Sequence, residues 1–415
     1  MRAEVNTAAV PVGTSGRHRS IPLLAGAAFA SSCAIRLCDP LVPELGRVFG
    51  ISAGQAAWSV SAFAIAYGLF QAVCGPAGDR YGKYQLVAWA TLACAAASLA
   101  AALAPSFGWL VAARVLAGAC GAAIIPLSMS YIGDSIEYHQ RQPVLARFLA
   151  GQILGVVGGQ LLGGFCAEQL GWRWSFAILG GVNAVLALAL WLQLRRPRPA
   201  ERATVPASWR TLPARTAHTL TDRRVRALLL VAFVEGAVVF GPFAFVPTYL
   251  HGRFGLSLTG AGLALSAFAA GGLCYSATAR WLVPRLGERG LALTGGALLG
   301  AGFLGYLAGP AWQWAIPASL LAGMGFYGLH NTLQTRATQL MPRLRATTVS
   351  MFVSALFLGQ STGVALAAWV VDSAGAGWAF LVAAVTLPLL GAVVAAAGTD
   401  TGTAAGAGQP ADAQG

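Results

Sequence analysis

Along this chain apolar residues come in blocks of about twenty, the length at which an α-helix crosses the hydrocarbon of a bilayer. Such blocks fall at residues 21–43, 54–77, 86–105, 109–132, 147–168 and 174–194. A second set follows at 226–250, 257–282, 290–309, 312–335, 347–370 and 376–397. Numbered spans 1 to 12 in chain order, they predict an all-α membrane protein of twelve transmembrane helices in two bundles of six. Residues 1–20 form an N-terminal segment, and residues 195–225, basic and broken by prolines, read as a linker between the bundles. The last stretch, 398–415, is Ala, Gly and polar residues and reads as a disordered tail.

Composition agrees with lipid as the solvent. Of 415 residues, 57% are hydrophobic and only 10% charged, with mean hydropathy +0.66, which excludes an ordinary soluble protein. The formal net charge of +13 is distributed as a topology signal. Lys and Arg gather in the loops of one side, whereas the opposite loops hold only Arg47, Arg173 and Arg253. Basic loops stay inside, so both termini are expected in the cytoplasm. That spread over many loops does not describe a nucleic-acid surface. The run "RHRS" followed by "IPLLAGAAFASSC" imitates a secretory signal, but Arg36 and Asp39 in the same block argue against cleavage. The seven cysteines lie in apolar spans without CxxC spacing, so they read as small packing residues. No metal or cofactor is implied.

The two groups of six resemble each other. "GQLLGG" at 159–164 precedes "WSF" at 174–176, and "GQSTG" at 359–363 precedes "WAF" at 378–380, an offset near 200 residues. Gly82 after span 2 is matched by Gly287 after span 8. Duplicated six-helix halves are a transporter architecture, with the substrate site between the repeats.

The turn after span 2 reads "GPAGDRYGK", residues 75–83, and matches a GxxxDRxGK pattern. On these residues the chain resembles the major facilitator superfamily over essentially its whole length. "RVLAG" at 114–118 is similar to that family's RxxxG element. Span 5, through Gly155, Gly159, Gly163 and Gly164, resembles the glycine-rich element of its drug and proton antiporters, with Gln160 in the proline position. "GWRW" at 171–174 and "RLCDPLVP" at 36–43 resemble sequences of bacterial efflux members. The resemblance implies a monomeric carrier in a bacterial inner membrane that moves a small molecule by alternating access. It implies a gating role for Gly75, Asp79, Arg80, Gly82 and Lys83. Asp79 would sit against the N-terminal end of span 11 near Thr347, where a helix dipole favours an anion, and Arg80 and Lys83 would pair with inner-loop acids or lipid headgroups.

Buried charge supplies the candidate chemistry. Asp39 and Glu235 lie well inside spans 1 and 7, where an ionised carboxylate needs a partner or a wet cavity. Arg114 in span 4 is expected at the depth of Asp39, and Arg36 is one helical turn away from it. Two readings stay open: Asp39 alternates between a proton and an arginine, coupling protonation to movement of the halves, or a permanent ion pair holds spans 1 and 4. Glu235 faces the cavity or is hydrogen-bonded between helices. In span 10, His330, Asn331 and Gln334 are candidates for reading a polar substrate or for interhelical bonding. Gln152 carries the same two readings, and Tyr67 and Phe240 offer aromatic walls. Small-xxx-small spacing gives span 5 close packing as its default role, with a hinge as the addition the resemblance brings. There is no HExxH, and the GxSxG match "GQSTG" at 359–363 lies inside an apolar span rather than at a strand-to-helix turn, so an enzyme is not indicated. Proton-driven export of a drug-like or metabolite molecule is the leading expectation. Proton symport of a metabolite or sugar, and a non-transporting sensor, are the alternatives.

Overall fold

A computed structural model of the protein describes residues 14–136, 138–195, 212–341 and 344–397. The first thirteen residues, most of the linker and the tail from 398 lie outside the described residues. Among the described residues ten helical stretches are long and apolar enough to cross a membrane. One of them, Leu258–Ala308, reverses at Gly287 and supplies spans 8 and 9, and the 26-residue helix Ala315–Leu340 packs beside it as span 10. The described helices fit the expected all-α membrane architecture. No strand occurs among the described residues.

Several boundaries move. Span 1 does not end at 43: the helix Thr14–Arg36 breaks at a 3-10 turn, Asp39–Leu41, and resumes as Val42–Phe49. The reason is Pro40 and Pro43, each at the start of its new element, where the missing N–H is tolerated but the preceding helix cannot continue. Asp39 is thus further from the end of its span than the sequence blocks place it. Span 7 breaks at the matching place: Arg223–Phe243 contains Pro242, and Val246–Phe254 restarts with Pro247 near its first position. The linker is not wholly irregular, since Leu212–Thr221 is helical.

The duplication is written into the backbone. Among the described residues six glycines have positive φ, and they form three pairs, Gly50 with Gly255, Gly82 with Gly287, and Gly171 with Gly375, at offsets of 204 or 205 residues. Each lies where one helix ends and the next begins, in a conformation a side chain would strain. Serines at the same offset, Ser52 and Ser257, cap the starts of spans 2 and 8.

Two hydrophobic clusters follow the halves, one centred on residues of spans 1 to 6 and the other on spans 7 to 12. Within each, small residues set the closest approach. Gly151, Gly155, Gly159 and Gly163 of span 5 lie on the backbone carbonyls of Ala25, Phe29, Cys33 and Leu37 of span 1, four residues apart on both helices. In the other half, Gly359 and Gly363 of span 11 lie on Phe233 and Ala237 of span 7. A Cβ at these positions would collide with main chain, so glycine lets dispersion contacts replace side-chain burial, which drives nothing between helices in lipid.

Candidate functional site

The break in span 1 sets the first charged centre. Asp39, at the first residue of the 3-10 turn, is fully buried, and Arg36 and Arg114 are almost fully so. Arg36 Nη1 is 3.5 Å from Asp39 Oδ2. Among the described residues neither Asp39 oxygen accepts a hydrogen bond, so the contact is an ion pair without hydrogen-bond geometry. Arg114 does not close on Asp39. Its Nε donates to the Ser59 carbonyl at 2.9 Å, and its guanidinium lies 4.2 Å from the Phe63 ring. Of the two expected partners, Arg36 is the one that closes on Asp39. Arg36 Nη1 and Arg114 Nη2 are also without hydrogen-bond partners among the described residues. So many unmet polar atoms in one buried place call for a proton, water or ligand to complete them.

Arg36 also crosses between the halves. Its guanidinium sits 4.1 Å from the Phe240 ring and 5.7 Å from Phe243, both in span 7. The contact sets a cation of the first half against a ring of the second. Phe240 packs edge-on to Phe326 at 5.0 Å, and Phe326 stacks on His330 at 4.9 Å. His330 Nδ1 is 3.1 Å from Glu235 Oε2. An aromatic wall thus separates one charged centre, Asp39 with two arginines, from a second, Glu235 with His330. Glu235 is fully buried and its Oε1 is unpartnered among the described residues.

The remaining expected residues are placed as follows. Tyr67 stacks on Phe357 of the other half at 4.2 Å. Gln152, in span 5, has a buried Nε2 without a partner among the described residues. Asn331 and Gln334 are half-buried on span 10. At the turn after span 2, Lys83 bonds to Asp134 at the end of span 4 and lies 3.8 Å from Asp79. Arg80 is exposed over Tyr81. No hydrogen bond joins Asp79 to the first turn of span 11 among the described residues; its near partner is Lys83. Open space surrounds Gly75, so packing does not explain it. Gly164, unlike the other span 5 glycines, faces the second half, against Leu258.

Two further residues went unread in the sequence. Asp372, at the end of span 11, accepts from Ser52 Oγ at 2.6 Å and from Gly54 N at 3.2 Å. Glu168, at the end of span 5, accepts from the backbone N of Leu258 and the hydroxyl of Thr259. Each carboxylate captures the N-terminus of the opposite half's helix, span 2 or span 8, where unpaired N–H groups and the dipole favour an anion. The signal was available: each acid stands six residues ahead of its "WSF" or "WAF". Both contacts lie at the end of the bundle that carries Gly50 and Gly255.

The sequence profile of the Major Facilitator Superfamily matches residues 24–361. The chain belongs to that superfamily. It is 26% identical over 344 residues to the uncharacterized MFS-type transporter YceJ of Bacillus subtilis, covering 81% of this chain and 85% of that protein. It is 27% identical over 172 residues to the multidrug export protein EmrB of Escherichia coli, covering 41% of this chain and 34% of that one. Among solved structures, a bacterial homologue of the lysosomal transporter Spinster, inward-facing and unoccupied, superposes with TM-score 0.71 at 19% identity over 92% of this chain and 96% of that one. The nucleoside transporter NupG gives 0.73 at 15% identity over 91% and 98%. These structural likenesses establish the fold of this multi-pass membrane protein.

Proposed function

We propose that this protein is a proton-coupled exporter of a small drug-like or metabolite molecule, working as a monomer by alternating access. The observation that carries the reading is the bridge Asp39–Arg36–Phe240: a titratable carboxylate in one half grips the other half through a single guanidinium. Ionised Asp39 holds Arg36 in place. A proton on Asp39 removes the attraction and leaves Arg36 free to release Phe240 and Phe243, so the protonation state of one bundle is felt by its partner. Basic loops put both termini in the cytoplasm. The Glu168 and Asp372 contacts then form the outer gate, shut in the conformation described. Opening that gate exposes Asp39 to outside protons while the substrate leaves; closing it returns the proton to the cytoplasm. Glu235, His330 and the Phe240–Phe326 wall are the surfaces that meet the substrate, and the multidrug exporter relative favours outward transport.

The test uses everted membrane vesicles and a compound chosen by a toxicity panel in an efflux-deficient bacterium. Acidifying the vesicle interior should drive accumulation by the wild-type protein and none by Asp39→Asn. Equal accumulation by the variant, or movement of the compound in the same direction as protons, overturns the reading.

A further inference from the structure

Aromatic rings of this protein pair within their own half, with one exception among the described residues. Tyr67, near the middle of Trp58–Tyr81 in span 2, stacks on Phe357, near the middle of Arg345–Ala374 in span 11. The ring centroids are 4.2 Å apart and the planes 30° from parallel. The seam between these helices closes on glycine: the missing side chain of Gly68 is met by the Ser354 carbonyl and by Phe357 Cβ. The contact of Ser52 with Asp372 lies about 20 Å further out along the same seam. Tyr67 also borders Gly121 of span 4. A methyl group at Gly121 would stand 3.7 Å from Phe63 and from Ser31 Oγ and 3.8 Å from Tyr67, ordinary contact distances. Gly121 therefore leaves a methyl-sized space beside the ring.

In the export cycle proposed above, the halves part along this seam. The two rings then lose each other's face, and an aromatic pair gains more than its buried area. A gap widened by about 3.5 Å, one layer of carbon atoms, admits a flat aromatic molecule that covers both faces at once. A saturated molecule of the same skeleton covers neither with a ring. The space at Gly121 gives Tyr67 room to shift as the molecule enters. Tyr67 stacks in turn on Phe63 at 5.9 Å, and the Arg114 guanidinium lies 4.2 Å from Phe63, so an occupant touches the ring column that carries Arg114. We propose that the seam between Tyr67 and Phe357 is a slot for a planar aromatic ring system of the transported molecule, with Phe357 a specificity-determining residue. This names the substrate class of the export reading and rests on that reading for calling the occupant a substrate.

The test is equilibrium dialysis of the full-length protein in detergent, with protein-free micelles as blank, against β-naphthol and decahydro-β-naphthol. Wild type should prefer β-naphthol by about fivefold for each ring face covered, hence about 25-fold in all. Tyr67→Leu and Phe357→Leu should each lower that ratio about fivefold, Y67L/F357L should bring it to about one, and Tyr67→Phe should keep it. Gly121→Ala, which the contact distances admit without a clash, should weaken β-naphthol binding about fivefold by filling the space. If the leucine variants are not recovered, the wild-type ratio and Gly121→Ala decide. A wild-type ratio near one, a ratio that survives Y67L/F357L, or affinity unchanged by Gly121→Ala overturns the proposal. No proton gradient enters this measurement, so lost coupling in vesicles leaves the slot standing, and a failed slot leaves the coupling reading standing.

Discussion

The two halves share a backbone plan and differ in chemistry. Both break their first helix at paired prolines, lay span 5 or 11 along that helix on glycines, turn on positive-φ glycines at a common offset, and end span 5 or 11 on an acid that caps the opposite half. At the centre the likeness stops. The first half concentrates charge, with Asp39, Arg36 and Arg114, while the second sets rings around one acid and one histidine. In the proposed function this side-chain divergence gives proton handling to the first half and contact with the transported molecule to the second.

That division is sharpest in vesicles. Asp39→Asn should abolish accumulation driven by a proton gradient while leaving substrate exchange at equilibrium. Glu235→Gln should leave coupling intact and raise KM about tenfold, the loss of one charge-assisted hydrogen bond. The reverse pattern would assign the two roles the other way round. The shared plan predicts equal sensitivity next. Gly155→Val and Gly359→Val should each cost about 1–3 kcal/mol through overpacking against a carbonyl, read as matched falls in thermal unfolding midpoint in detergent. A fall in one alone would show that one interface dominates.

The gate contacts are expected to be additive. Glu168→Gln and Asp372→Asn should each weaken closure by about 1.5 kcal/mol, and together lengthen the spin-label distance between Leu170→Cys and Leu256→Cys in a cysteine-free background. Full opening by either variant alone would break the equivalence. The smallest difference lies at the turns: Lys83→Gln should lower the unfolding midpoint by removing a part-buried pair, while Arg285→Gln, at an exposed arginine without an ion pair among the described residues, should shift it within about 0.5 kcal/mol.

Much of the fold was legible beforehand. Helix count follows from apolar block length, and the small residues of span 5 announced a close helix contact through their spacing. The acids at 39 and 235 stood out because carboxylates in hydrocarbon are costly. Span 1 was read short because Pro40 and Pro43 look like a terminus when they make a break inside a longer crossing. Depth along the helix and spacing admitted either Arg114 or Arg36 as partner of Asp39, and neither gives rotation about the helix axis. Glu168 and Asp372 looked like ordinary loop-end acids, since their partners are helix starts about ninety and three hundred residues away in sequence.

The chain alone therefore determined that it is an all-helical membrane protein, that it repeats, and where charge is buried, because these depend on local composition and period. Only the tertiary arrangement decided which arginine holds Asp39, that His330 meets Glu235, that Arg36 reaches Phe240, and that two acids tie the halves together. Those pairings depend on how each helix is turned against its neighbours, and that angle is fixed by carbonyls lying on glycines from distant parts of the chain.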